Sequence, residues 1–216
     1  MNLSTGIREL DRIFSAVGHD DEGLPAGSVV VVQAPPAAQV DSLLAAGIDR
    51  RPTHYFTTVK SEATVRETFE RVADDPQVDC VEDVDGSDGL DRIEAELAGL
   101  DREEDVIVDV VDVVEAEAST VEYLAFLETL ADRLRETDSI ALLRGIDDDA
   151  TPDNRRYTLD AADFVWNIEP VAATGSKKLE YFLSIPKARG VDLDEQDRLL
   201  KIDVGRDFYV DKSRNI

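Results

Sequence analysis

Short apolar runs alternate along the chain with longer segments in which apolar residues recur every three or four positions. Compact apolar runs predict buried strands, and the three-to-four spacing predicts amphipathic helices. On this basis we predict strands at 29–32, 53–59, 78–81, 105–114 and 139–145. Helices are predicted at 43–48, 61–75, 89–100 and 119–136, after a short first helix within residues 3–15 that Ser4 and Thr5 cap. Alternating strands and helices favour a mostly parallel sheet covered on both faces.

The pattern changes after residue 162. Strand-like segments follow one another at 163–169, 178–190 and 199–211, and residues 174–178 form a turn between the first two. Such a sequence of strands without intervening helices predicts antiparallel strands that extend one edge of the sheet. We see no linker or repeat, so residues 1–216 are predicted to form one domain.

Two predictions concern side chains in the core. Trp166 lies in a strand-like segment and is expected to contribute to packing. The helix at 119–136 is expected to bury one face, formed by Val121, Leu124, Leu127, Leu130 and Leu134.

The charge balance is strongly acidic. The chain has 48 Asp and Glu residues against 23 Lys and Arg residues, a net charge of −25, with only six lysines. A surface of this sign repels a DNA backbone, so nucleic-acid binding is disfavoured. It also suggests a protein kept soluble in high salt, of the haloarchaeal type. We find neither a membrane span nor a signal peptide and predict a cytoplasmic protein.

The sequence gives little support for a metal site. Cys80 is the single cysteine, so it cannot form an internal disulfide or a cysteine cluster. His19 and His54 are far apart in sequence, and no metal site is predicted from them. The acidic run 147–149 is interpreted as a solvated loop, with cation binding as the alternative.

Residues 27–44 have the layout of a phosphate-binding loop, in which a strand leads through a turn of small residues into a helix. The corresponding motif, G-x-x-x-x-G-K-[ST], uses glycine N–H groups and a lysine to hold phosphates and a hydroxyl to hold Mg²⁺. Here Ala34 and Gln39 replace the glycines, Val40 the lysine and Asp41 the hydroxyl. A shift by one residue brings Ser42 to the hydroxyl position but Asp41 to that of the lysine. Neither register supplies a cation.

Four stretches resemble the KaiC-like group of RecA-superfamily ATPases, over nearly the whole chain. They are STGIRELD at 4–11, GLPAGSVVVVQAPP at 23–36 with its double proline Pro35–Pro36, VIVD ending at Asp109, and KARG at 187–190. The resemblance implies a three-layer α/β RecA-like fold with a mostly parallel sheet. It also implies that Asp109 occupies the position that binds Mg²⁺ in active relatives, and that Lys187 and Arg189 are candidates for a subunit interface.

The sequence departs from this family at the positions that carry chemistry. Besides the changes at 34–42, Val59 and Lys60 stand where active relatives have an acidic pair that activates water. We therefore expect a non-catalytic protein without a bound cofactor, a regulatory or assembly subunit that contacts KaiC-like homologues or copies of itself.

Alternatives stay open at each site and for the whole protein. The loop with Ala34, Pro35, Pro36, Ala37, Gln39, Val40, Asp41 and Ser42 is either an inherited turn or an anion site formed by helix N–H groups. Asp109 is either a hydrogen-bonded remnant or a ligand, and Lys187 and Arg189 lie either at an interface or at a solvated strand end. The chain could also be a weak ATPase that binds ATP and Mg²⁺, or an accessory protein of DNA recombination.

Overall fold

A computed structural model describes residues 1–15, 22–38, 40–48, 50–73, 76–84, 88–172, 179–204 and 208–210. The strands are β1 Asn2–Leu3, β2 Leu24–Pro25, β3 Val29–Ala34, β4 Thr53–Thr57, β5 Val78–Asp83, β6 Asp105–Asp109, β7 Ala141–Ile146, β8 Phe164–Ala172, β9 Leu179–Ala188, β10 Leu199–Val204 and β11 Phe208–Val210. The helices are α1 Arg8–Phe14, α2 Asp41–Ile48, α3 Glu62–Val72, α4 Gly89–Gly99, α5 Asp112–Glu117, α6 Thr120–Thr137 and α7 Arg155–Ala161. His19, Gln39 and the turn at 174–178 lie outside the described residues.

Nine strands form one sheet in the order β11-β10-β9-β8-β3-β7-β6-β4-β5. The strands from β8 to β5 in this order are parallel, and β9, β10 and β11 add antiparallel pairs at the β8 side. The predicted antiparallel extension of one edge is therefore confirmed. β1 and β2 form a separate two-stranded sheet.

Helices cover both faces of the sheet. One apolar cluster joins the sheet to α1, α2 and α3, and a second joins the opposite face to α4, α5 and α6. Trp166 lies in the first cluster, where its ring stacks on Phe14 at 5.7 Å between centroids, so its core position is confirmed. The result is a three-layer α/β architecture, consistent with a RecA-like fold.

The segment 105–114 was predicted as one strand, and this is wrong beyond Asp109. Strand β6 ends there, and α5 begins at Asp112. A continuous run of valines does not distinguish a buried strand from a buried helix. In addition, the predicted acidic loop after β7 leads into the short helix α7, which the sequence pattern did not indicate.

The predicted inner face of the long helix is partly wrong. Leu127, Leu130 and Leu134 are buried, but Val121 is 78% exposed and Leu124 is 43% exposed. Tyr123 and Phe126 are buried instead. These aromatic side chains define a face rotated away from Val121, which is left on the surface.

The STGIRELD segment has a structural role in this chain. Ser4 and Thr5 were predicted to cap α1, but their hydroxyls donate to the buried carboxylate of Asp11 at 2.5 and 2.7 Å. Gly6 has a φ of +79°, and a Cβ there would lie 1.8 Å from the carbonyl oxygen of Ala46 in α2. The motif therefore fixes the N-terminal segment against α2.

Candidate functional site

The candidate site lies where strands β3, β4 and β6 end, because open α/β sheets bind ligands at the carboxyl ends of their strands. Strand β3 ends at Ala34, whose carbonyl accepts a hydrogen bond from the backbone N–H of Asp147. The N–H of Ala38 donates to the carbonyl of Pro35 at 2.9 Å and closes a tight turn. Pro35 and Pro36 have no N–H groups, so the first half of this loop offers few donors to a phosphate.

The start of α2 contains the positions that would carry the lysine and the hydroxyl of a phosphate-binding loop. Val40 is buried in the apolar cluster on the α2 side of the sheet. A lysine introduced at this position would therefore be placed in the core rather than toward a phosphate. Ser42 is also buried, and its hydroxyl has no hydrogen-bond partner among the described residues.

An ion cluster occupies the space between α2 and the end of β6. The ammonium of Lys60 lies 2.8 Å from Asp41 Oδ1 and 3.4 Å from Asp109 Oδ2. Arg144 Nη1 donates to Asp109 Oδ1 at 2.5 Å, and the hydroxyl of Tyr55 donates to Asp109 Oδ2 at 2.6 Å. The cluster contains two carboxylates and two cations, so its charges balance.

The electrostatics of this cluster favour an ionised Asp109. Burial disfavours its charged form, but the charges of Arg144 and Lys60 outweigh that effect and hold the pKa of Asp109 below its ordinary value. Burial, together with the neighbouring charge of Asp109, raises the pKa of Tyr55 well above its ordinary value. Tyr55 is thus a neutral hydrogen-bond donor, and Asp109 is a charged acceptor.

The turn between β4 and α3 directs Lys60 into the cluster. Thr57 is fully buried, and its hydroxyl donates to the carbonyl of Lys60 while accepting from the N–H of the same residue. Thr58 holds the turn against the end of β6 through two hydrogen bonds with Val110, at 2.7 and 2.8 Å. The turn is therefore fixed on the side that faces Asp109.

The sequence analysis did not predict the roles of three residues of the ion cluster. Lys60 was interpreted only as the residue that replaces an acid, and Tyr55 and Arg144 were not singled out. The sequence does contain a signal for Arg144, because it is a charged residue within an apolar strand and buried charges are rare unless they are paired. Its partner is 35 positions away, and pairing over that distance depends on β6 and β7 being neighbours.

The two basic residues of the KARG segment make contacts within the chain. The ammonium of Lys187 donates to the carbonyls of Leu159 and Asp160 at 2.8 and 2.7 Å, at the C-terminal end of α7. Arg189 pairs with Asp163 at 3.0 Å, and its side chain is more than half exposed. Burial and the neighbouring Arg189 charge lower the pKa of Lys187. Their predicted part in a subunit interface stays a prediction.

In a comparison with protein families, residues 2–216 match a family described as a family of unknown function, DUF7125. The chain belongs to the DUF7125 family. No curated protein matches this DUF7125 chain. The resemblance to KaiC-like ATPases therefore stays a prediction.

Two kinds of feature are absent from the described residues of this DUF7125 protein. Within them, no group of three or more His, Cys, Asp and Glu side chains is arranged to hold a metal ion. Across the same part of the chain, no helix has both the length and the apolar character needed to cross a bilayer.

Proposed function

We propose that this protein is a non-catalytic member of a RecA-like lineage, which acts as a regulatory or assembly subunit through protein contacts. The observation that carries the proposal is the ammonium of Lys60 between Asp41 and Asp109. In the resemblance described above, Asp41 aligns with the hydroxyl that holds Mg²⁺, and Asp109 aligns with the aspartate that also binds it. The cation between these two positions is therefore the ammonium of the Lys60 side chain, which is part of the chain, and not an exchangeable metal ion.

The charges of the cluster argue against nucleotide binding. Lys60 and Arg144 are both paired with carboxylates, so an incoming triphosphate would find no unpaired cation among these four residues. Like charges about 4 Å apart repel by roughly 4 kcal/mol at an effective dielectric constant near 20. The charge of Asp41 alone would thus cost a neighbouring phosphate about three orders of magnitude in affinity, and Lys60 offsets this cost only by sharing its charge between Asp41 and the phosphate.

Calorimetric titration with Mg-ATP in about 1 M KCl, followed by a phosphate-release assay, tests this proposal. We expect no binding at millimolar Mg-ATP and no hydrolysis above the blank. Micromolar binding, or hydrolysis that Asp109→Asn abolishes, would overturn it.

The variant Lys60→Met tests directly whether the Lys60 ammonium takes the place of a metal ion. Loss of the ammonium leaves Asp41 without its cation and Asp109 with only Arg144 and Tyr55, so we expect measurable Mg²⁺ binding between the two carboxylates without hydrolysis. Lys60→Arg is the matched control, since it retains a cation and should bind no Mg²⁺. Equal Mg²⁺ binding by the two variants would contradict the assigned role of Lys60.

A further inference from the structure

A groove opens on the face of the protein formed by α4, α5 and α6, on the opposite side of the sheet from α2. Arg133 joins the C-terminal end of α4 to α6 through hydrogen bonds to the carbonyls of Leu97 and Leu100. Toward the N-terminal ends of α4 and α6, where α5 lies between them, a groove of about 270 Å³ remains. Its apolar part is formed by Leu90, Val114, Ala118 and Ala125.

Four carboxylates line the same groove, namely Asp91, Glu94, Glu117 and Glu122. Glu122 belongs to the capping box of α6, where it accepts a hydrogen bond from the N–H of Ser119. The other three make no hydrogen bond or ion pair with any residue that the structure describes.

Some acidic side chains on other helical surfaces have intramolecular partners, and others, such as Glu128 on α6, pair with no described residue. Glu62 pairs with Arg66 at 2.9 Å on α3, and Asp132 pairs with Arg135 at 2.8 Å near the end of α6. The basic residue of α4, Arg92, pairs with Glu82 and not with the groove carboxylates. The groove thus combines apolar surface with negative charge that this part of the chain does not neutralise.

We propose that this groove is the docking site for a helical segment of a protein partner that carries arginine residues beside an apolar side chain. The apolar side chain would fill the groove, and the guanidinium groups would pair with Asp91, Glu94 and Glu117. Arginine suits these sites because its planar fork donates two parallel hydrogen bonds to a carboxylate. The inference rests on the proposed function, since it names a surface through which such a subunit would bind its partner.

Two other occupants fit the groove less well. Small-molecule pockets usually enclose about 300–1,000 Å³, and this groove is smaller. Among the described residues, these carboxylates are not arranged as a metal site. Val121, four positions before Ala125 on α6, is a further exposed apolar side chain, with 78% of its area exposed.

A fluorescein-labelled amphipathic peptide of about 15 residues, built from Leu, Ala and Arg, is the probe for this site. Its twin, with Gln in place of Arg, reports the contribution of the charges. Anisotropy is measured in about 0.15 M and about 1 M KCl, because high salt screens diffuse attraction to an acidic surface more than close pairs in a groove. We expect saturable binding of the Arg peptide in both buffers and weaker binding of the Gln peptide.

Groove variants separate specific docking from general attraction to an acidic protein. Glu94→Gln with Glu117→Gln should weaken peptide binding about five- to ten-fold. The control, Glu128→Gln with Glu195→Gln, removes the same charge from exposed sites outside the groove and should change binding less than about two-fold.

A second pair tests the apolar part of the groove. Ala125→Trp fills the groove and should abolish saturable binding, whereas Ala63→Trp on the exposed surface of α3 should not. Circular dichroism verifies that all four variants are folded. Equal binding by groove and control variants, or no saturable binding of the Arg peptide, would overturn the docking site. The Mg-ATP titration is independent of the groove, so a failure here can be told from a failure of the proposed function.

Discussion

Asp109 belongs to the candidate site, and its contacts also affect the stability of the protein. Its carboxylate accepts hydrogen bonds from Tyr55 and Arg144 and contacts Lys60, and no part of it is exposed. A buried ion pair contributes little net stability compared with an apolar pair, but the loss of one partner leaves the other charge unpaired. Substitution of Asp109 therefore has both an energetic and a pH-dependent consequence.

We predict that Asp109→Asn lowers the free energy of unfolding by about 3–5 kcal/mol at pH 7, because the buried guanidinium of Arg144 loses its anion. The lowered pKa of Asp109 means that its carboxylate stabilises the native state above its ordinary pKa, near 4, and that this contribution is lost as pH falls through the folded-state pKa. The difference between wild type and variant should thus be largest at neutral pH.

Urea unfolding at a series of pH values measures this difference. Asp149→Asn is the control, since Asp149 is exposed and its carboxylate forms no hydrogen bond or ion pair with a described residue. A difference that stays constant on acidification would contradict the assigned role of Asp109.

Gly6 allows the N-terminal segment to approach α2. Gly6→Ala should destabilise the protein by about 2 kcal/mol or more, because the added methyl group meets the Ala46 carbonyl and the φ of +79° is unfavourable for alanine. Gly47→Ala is the control within α2, where a Cβ has no neighbour within 4 Å, and it should stabilise the helix by about 0.5–1 kcal/mol. Thermal unfolding midpoints give the comparison, and similar shifts for both variants would refute it.

At the scale of elements, Lys187 stabilises the end of α7. Its two hydrogen bonds satisfy carbonyls that a helix leaves without partners at its C-terminus, and its charge is favourable there. We predict that Lys187→Met speeds amide exchange in α7 about two- to five-fold, which corresponds to about 0.3–1 kcal/mol.

Amides in α3, far from this contact, are the internal control for that measurement. Light scattering on the same samples tests the alternative role of Lys187. An altered oligomeric state with unchanged exchange in α7 would assign the residue to an interface instead.

Strands and their order were predictable to different degrees. The apolar runs predict the positions of β3, β4, β6 and β7, because a buried parallel strand needs apolar side chains on both faces. The pattern did not distinguish α5 from a continuation of β6, since Val110, Val111, Val113 and Val114 suit either element. The faces of α6 were also misassigned where Tyr123 and Phe126 compete with Val121 and Leu124 for the core.

The sequence predicted which strands and which loop form the candidate site, but not the side-chain contacts within it. The positions of Asp41 and Asp109 follow from the motif-like spacing around strands β3 and β6. Lys60 lies 49 positions from Asp109, and Tyr55 lies 54 positions from it, so their convergence depends on how the strands are ordered in the sheet. That order is set by the packing of the whole chain and not by any local pattern.

At the scale of the whole molecule, the net charge of −25 should make stability depend on salt. Repulsion among surface carboxylates opposes the compact state, and the Debye length falls from about 10 Å at 0.1 M to about 3 Å at 1 M. We therefore predict that the thermal unfolding midpoint rises with KCl up to about 1 M and changes little through screening beyond it.

The variant Glu128→Lys with Glu195→Lys separates screening from the general effect of a cosolute. It lowers the net negative charge at two exposed sites, so its unfolding midpoint should rise less steeply with KCl than that of the wild type. Sucrose stabilises folded proteins by exclusion from their surface, without screening, and should raise both midpoints equally. An unfolding midpoint that is already maximal in dilute buffer would show that charge repulsion does not limit the stability of this fold. If the midpoints of the two proteins rise equally with KCl, the salt effect arises by exclusion from the surface and not by screening.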